Sequence, residues 1–402
     1  MHEDFDRIWE RKGTSCVKHD MMERDFGRND LLPMWVADMD FAVPDCILDD
    51  LRRRLEHPIL GYTFGGESYQ EAVLQWLETR HDIRAAAHEI HYIPGIVAGI
   101  AFCLQALTRE GESVVVTTPV YPPFLNLPRH GHRELRCSPL RIREGRFAID
   151  FDDLEQRLQG ARLLILSNPH NPGGTVWDSG TLQQLADLCD RHQVTVISDE
   201  IHADLTLPGF RHTSYATVSD KARNHSITFI APSKTFNIAG LSSSVAYIHN
   251  PQLRQTFFDY IDGYELANGN LFAYIGAESA FRHGGPWLES LQQYLQENIC
   301  HAIAYLHREL PAVRVMRPEA SFLLWMDFSA LGLPHDELRR RFIHEAQVAL
   351  NDGTAFGGAG YEGCFRMNVG CPRSLLDVGM QRIVRCLNSG QTSSSSQRTF
   401  GT

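Results

Sequence analysis

Four short apolar runs in the middle of this sequence each deliver one side chain able to do chemistry. SVVVTT leads into PVYPPF with Tyr121, RLLILS into NPHNPGG with Asn171, VTVIS into DEIHAD with Asp199, and SITFI into APSKTFNIAG with Lys234. Runs of this length, rich in β-branched residues and bounded by Pro, Gly and Asn, read as strands. Taken singly, the four residues have ordinary readings. A lysine after a strand is usually solvated, an aspartate there usually ends a turn or caps a helix, an asparagine between prolines forms a turn, and a tyrosine fills a core. An open parallel sheet, however, binds ligands beyond the carboxyl ends of its strands. Four such ends on one side of one sheet bring an amine, a carboxylate, an amide and an aromatic ring together.

Pyridoxal 5'-phosphate asks for that set: a lysine for its aldehyde, an acid to keep its ring nitrogen protonated, an amide for its ring hydroxyl and an aromatic face to stack on. Lys234 then has the task of forming a Schiff base, its amine made nucleophilic by desolvation and nearby positive charge. The phosphate needs a cradle. YIPGIVAGIAFCLQAL reads as a glycine turn opening a helix, which points the amides of Ile96 and Val97 at an anion with the helix dipole behind them. Ser233 adds a hydroxyl beside the lysine.

The elements that must position these groups follow from pattern. Between about residues 90 and 250 strand-like runs, SSVAYI among them, alternate with amphipathic helical stretches, the pattern of a mostly parallel sheet covered on both faces. In the helix TLQQLADLCDRH, Thr181 falls where a cap would sit. An N-terminal arm precedes this block, and a smaller helix- and strand-containing region around FLLWMDF follows it. The Ser/Thr-rich end, 389–402, has little to bury and reads as disordered.

Bulk properties narrow the partners. Of 402 residues, 43% are hydrophobic and 22% charged, and the net charge of -11 argues against nucleic acid or an anionic membrane as the main partner. No apolar run approaches the roughly eighteen residues of a membrane span, and MHEDFDRIWERKG lacks the apolar core of a secretory signal. A soluble, cytoplasmic protein is expected. The nine cysteines include no CxxC pair, which fits free thiols in a reducing compartment. HEIHYI and HGH match no metal-ligand spacing, so no metal site is expected. No GxGxxG follows an early strand, which argues against a dinucleotide site.

The motifs LPMWVADMDFAVP (32–44), GYTFGG (61–66), PVYPPF (119–124), SNPHNPGG (167–174), SDEIHAD (198–204), APSKTFNIAGL (231–241) and FRMNVGCP (365–372) make the chain resemble the fold-type I pyridoxal phosphate enzymes of the class I/II aminotransferase superfamily. The resemblance spans about residues 5–388 and is strongest to the cystathionine β-lyase (C–S lyase) branch of MalY and PatB type. It implies an α/β architecture: a large domain (46–288) with a mostly parallel seven-stranded sheet between helices, and a smaller α+β domain built from the arm (1–45) and residues 289–388. It also implies roles. Lys234 is the Schiff-base lysine and proton shuttle, Asp199 holds the pyridine nitrogen, Asn171 the ring hydroxyl, and Tyr121 stacks on the ring. Arg366 clamps the substrate carboxylate with a planar guanidinium. Tyr62 reaches across from a second subunit, which makes the protein a homodimer with active sites at its interface, and Val36, Ala37 and Asp38 line the entrance. His202 stands where many relatives carry a tyrosine, and Ser242 where many carry a phosphate-holding arginine, so phosphate anchoring leans on backbone amides, Ser233 and the partner.

The expected reaction is α,β-elimination from cystathionine or cysteine S-conjugates to thiol, pyruvate and ammonia. An aminotransferase acting on an L-amino acid uses the same residues and is the alternative. A cofactor-bearing regulator whose catalysis is incidental ranks third, since no DNA-binding element is encoded.

Overall fold

The computed structural model describes residues 4–388, so the segment 389–402 expected to be disordered lies outside the described residues. The chain divides into two compact units, one of 43–293 with 319–321, the other of the flanking residues 4–42, 294–318 and 322–388. The later boundary falls inside the helix Gly285–Glu309.

The larger unit is built on a seven-stranded sheet: β1 (Ile90–Ile93), β2 (Ser113–Thr118), β3 (Glu134–Pro139), β4 (Ala161–Ser167), β5 (Thr195–Asp199), β6 (Ser226–Ile230) and β7 (Ser244–Tyr247), in the spatial order β1-β7-β6-β5-β4-β2-β3. From β3 through β6 neighbours run parallel; β7 is antiparallel to both β6 and β1. The run SSVAYI is therefore the exception to the parallel pattern, which strand composition alone does not reveal. VTVIS is shifted by one residue, so that Asp199 closes β5 opposite Ser167 of β4.

Strands β2 and β6 are buried along their whole length, as expected of parallel strands covered on both faces and written as unbroken apolar runs. With β4 and β5 they form one core that includes Val114, Val116, Ile165, Ile197, Ile227 and Phe229. The helix α1 (Ile96–Leu107) packs into this core at Gly99. A Cβ there would come within 2.6 Å of Ile93 Cδ1 and 2.9 Å of the Phe229 ring, so only glycine permits the approach.

Further helices are α2 (Pro122–His130), α3 (Ser179–His192), the short α4 (Pro232–Thr235) and, in the smaller unit, α5 (Arg373–Asn388). The cap of α3 is Asp178, not Thr181. The Asp178 carboxylate accepts from the Thr181 amide at 2.8 Å and its hydroxyl at 2.7 Å, which makes Thr181 the third helical residue and the donor.

The smaller unit holds an antiparallel sheet of β8 (Arg314–Met316), β9 (Leu323–Asp327), β10 (Asn351–Asp352) and β11 (Cys364–Asn368), in the order β8-β9-β11-β10. Leu32 and Pro33 of the N-terminal arm pair in parallel with Val348 and Ala349 of this unit. All nine cysteines are free thiols. Among the described residues no helix is long and apolar enough to cross a membrane.

Candidate active site

The strand register sets the geometry of the larger unit's site. Asp199 pairs with Ser167 of β4 on one side and Phe229 of β6 on the other, so the ends of three adjacent strands lie level. β6 runs through Ala231 directly into α4, whose Pro232 fixes the first helical turn and whose third residue is Lys234. Asp199 is buried. Its Oδ1 accepts the Ile201 N–H at 3.0 Å. Burial pushes its carboxyl up to about 7, with the nearby Glu200 charge acting in the same direction and the Ile201 bond and the Lys234 charge opposing. A buried carboxylate in this condition lacks a strong cationic partner, and a protonated pyridine nitrogen supplies one. The larger unit's residues thus fit pyridoxal phosphate.

Asn171 is buried in the loop after β4, where its N–H donates to Ser167 Oγ at 3.0 Å. Tyr121 is half-buried immediately before α2, its ring edge-on to Phe124 with centroids 6.0 Å apart. His202 is buried, and its carbonyl accepts the Leu205 N–H at 3.0 Å at the head of a short 3-10 turn. Gly95 precedes α1 with φ 159° and ψ 151°, a region open essentially to glycine alone. It starts the helix abruptly, and the first-turn amides of Ile96 and Val97 have no acceptor within the helix itself. Ser233 is half-buried next to Lys234. At the position where relatives carry an arginine, Ser242 is exposed and its carbonyl accepts from Tyr92 OH at 2.6 Å.

Tyr62 projects fully into solvent, at 111% relative exposure, within an apolar stretch that also exposes Ile59, Leu60 and Phe64.

In the smaller unit Arg366 is buried at the middle of β11, paired with Trp325 of β9 and Asn351 of β10. Its Nη2 donates to Asn351 Oδ1 at 2.6 Å and to the Trp35 carbonyl at 3.2 Å, and its guanidinium lies 4.9 Å from the centre of the Phe356 ring. These contacts fix the plane of the fork, which bidentate carboxylate binding requires. Two residues on, Asn368 Nδ2 donates to the carbonyls of Val36 and Asp38, each at 2.6 Å, so the strand that carries Arg366 also holds the loop of Val36, Ala37 and Asp38. The same loop is gripped by a buried ammonium: Lys18 Nζ lies 2.7 Å from Asp40 and 3.6 Å from Asp38, and Arg11 Nη2 bonds Asp38 at 2.7 Å.

Neither Asn351 nor Asn368 was distinguishable in the sequence, since each acts on a residue brought alongside only by the antiparallel register or by a contact across some 330 positions. Lys18 carried no such signal, lying between Val17 and His19 in the sequence.

Fold and site together define a class, and the chain belongs to the family Aminotransferase class I and II, which it matches over residues 32–383. Among its relatives is "Cystathionine beta-lyase PatB" of Bacillus subtilis (strain 168), 43% identical over 387 residues that cover 96% of this chain and all of that protein. Cystalysin from Treponema denticola, crystallised with pyridoxal 5'-phosphate, is 30% identical with a TM-score of 0.93 over 97% of this chain and all of that one. The PLP-bound C-S lyase from Staphylococcus hominis is 31% identical with a TM-score of 0.89, covering 96% of this chain and 98% of the other.

Proposed function

We propose that this protein is a pyridoxal-phosphate-dependent carbon–sulfur β-lyase that eliminates a thiol from cystathionine or related cysteine S-conjugates. The observation that carries the reading is the buried Asp199 carboxylate with the Lys234 charge close by, at adjoining strand ends of the larger unit. The likeness to proteins named cystathionine β-lyase and C-S lyase supports elimination as the outcome.

When bound, pyridoxal phosphate supplies an aldehyde that captures the substrate's amine and a ring that accepts electrons from its α-carbon. The chain's residues do the rest. The buried Asp199 carboxylate would keep the ring nitrogen protonated. Asn171 would donate its side-chain N–H to the ring hydroxyl, and Tyr121 would pack on the ring face. The amides of Ile96 and Val97 and the Ser233 hydroxyl hold the phosphate. Arg366 grips the α-carboxylate, and the loop of Val36, Ala37 and Asp38 borders the substrate. Lys234 Nζ would be the base that takes the proton from the substrate's α-carbon. A thiolate on the β-carbon then departs, and the enamine left behind hydrolyses to pyruvate and ammonia.

The protein works as a homodimer in the cytoplasm, with Tyr62 reaching a partner's site. The exposed apolar stretch around Tyr62 supports this. The family as a whole includes aminotransferases, which keeps amino transfer as the second reading. Incubating the holoprotein with cystathionine and no oxo acid separates the two: pyruvate and homocysteine form if elimination is the reaction, whereas a strict requirement for an oxo-acid acceptor sinks it.

A further inference from the structure

Behind the cofactor residues of the larger unit lies a second set of buried charged groups with no part in the chemistry just described. The β5 ladder continues one residue past Asp199, through the Glu200 N–H to the Phe229 carbonyl at 2.9 Å. Alternation along the strand sends the Glu200 carboxylate away from Asp199 and toward Ser198. There it is saturated. Oε2 accepts from His212 Nε2 at 2.8 Å, and Oε1 accepts from Ser198 Oγ at 2.9 Å, Tyr215 N at 2.9 Å and Ser214 Oγ at 3.1 Å.

Four residues on, Asp204 is buried in the same manner. His81 Nε2 lies 3.0 Å from its Oδ1, Trp76 Nε1 donates at 3.2 Å, and Thr235 Oγ1 donates to its Oδ2 at 3.2 Å. The two imidazoles meet edge to face, centroids 5.7 Å apart, so the two pairs form one cluster. Each carboxyl is held below its usual range. Burial opposes this in both, and the paired histidine overcomes it.

Replacing a buried ion pair by well-packed apolar residues is often neutral or stabilising, so two abutting pairs are poorly explained by stability alone. Their attachments point elsewhere. Thr235 is the residue after Lys234. Glu200 is the residue after Asp199, and it also receives Asn168 Nδ2 at 3.4 Å, while the Asn168 N–H donates to the Asp199 carbonyl at 2.9 Å at the start of the loop that carries Asn171. Asp199 and Lys234 thus each have an adjacent residue in this cluster or bonded to it, and Asn171 has one three positions before it.

We propose that Glu200 with His212 and Asp204 with His81 are positioning residues that hold Asp199, Asn171 and Lys234 in register for the cofactor. The inference rests on the functional reading above. Each carboxylate immobilises a backbone segment by several charge-assisted bonds, which a hydrophobic filler of the same volume could not do.

The test uses holoprotein of Thr235→Val, Asp204→Asn and His212→Gln, with pyridoxal phosphate as the ligand. Three quantities are measured: the rate of cofactor loss, the pH midpoint at which the visible band of the bound cofactor changes, and kcat against KM. Supporting parts of a site typically cost 10- to 100-fold when removed, so loss of cofactor should be about tenfold faster and kcat about tenfold lower with KM little changed. The spectral midpoint should move by about half a pH unit or more. Thr235→Val removes a hydroxyl while leaving both ion pairs, so it carries the test even if Asp204→Asn does not fold. Variants that melt earlier yet keep the wild-type midpoint and cofactor off-rate would show a merely structural cluster and overturn the inference. A wild-type protein that takes up no pyridoxal phosphate would overturn the functional reading itself and this inference with it, an outcome distinguished by the wild-type spectrum alone.

Discussion

Asp199 Oδ1 accepts the N–H of Ile201 at 3.0 Å, two residues along its own chain. That local bond does not offset burial, and the carboxyl rises to about 7 in the protein without cofactor. The consequence for stability has a definite sign. Below the unfolded value, near 4 for an aspartate, both states hold the proton. Between about 4 and 7 the unfolded chain releases it and the folded chain keeps it, so this residue makes the cofactor-free protein less stable as pH rises through that window. Urea unfolding of apoprotein across this range should show the loss, and Asp199→Asn should flatten it. With cofactor bound, the cationic ring nitrogen stabilises the carboxylate and the slope from this residue should disappear. An apoprotein whose Asp199→Asn variant keeps the wild-type pH profile contradicts the account.

In the proposed function Lys234 is at once the attachment point and the proton carrier. Lys234→Ala should lower pyruvate formation by about 10³-fold or more, the scale of losing a positioned acid–base group together with covalent attachment. Borohydride should fix the cofactor to the wild-type chain at Lys234, read by mass spectrometry of the peptide, and leave the variant unlabelled. Labelling at another lysine would reassign the site.

Arg366 Nη2 donates to both Asn351 Oδ1 and the Trp35 carbonyl. Arg366→Lys keeps the charge but loses the two-pronged geometry. Charge-assisted hydrogen bonds contribute about 1.5–3 kcal/mol each, so kcat/KM should fall by about tenfold to a hundredfold, chiefly through KM. Asn351→Ala, which frees the guanidinium to rotate, should show a smaller loss of the same kind. An unchanged KM in Arg366→Lys would remove this residue from the substrate site.

Tyr62 stands fully exposed on its own chain. If it serves the partner's site, mixing inactive Tyr62→Ala and Lys234→Ala proteins yields hybrid dimers with one intact site each. About a quarter of wild-type activity should return when subunits exchange freely, because half the dimers are hybrids with one of two sites complete. Failure to recover activity after demonstrated exchange argues that the site is made from a single chain.

Lys18 is almost inaccessible to water and pairs with Asp40 at 2.7 Å. Lys18→Met should destabilise the protein by about 1–3 kcal/mol, because it removes one of the two cations on the Asp40 carboxylate and leaves Arg11 as the other. Denaturant midpoints check this, and a Lys18→Met, Asp40→Asn double variant should recover part of the loss.

The sequence by itself determined the sheet and the identity of the chemistry. Unbroken apolar runs such as SITFI, short and β-branched, read as strands covered on both faces, and Tyr121, Asn171, Asp199 and Lys234 stood out as candidates because all four follow such runs, while the role proposed for each came from the resemblance. Tertiary structure alone decided the rest. The reversal of β7 and the cap at Asp178 depend on which backbone groups find partners, and Thr181 and Asp178 are both acceptable cap residues by type. The cluster of Glu200, His212, Asp204 and His81 joins positions more than a hundred residues apart, and ionisable residues are written in the same letters whether solvated or buried. Whether a carboxylate is an exposed charge or a buried anchor is set by desolvation and by partners that arrive only when the chain has closed on itself.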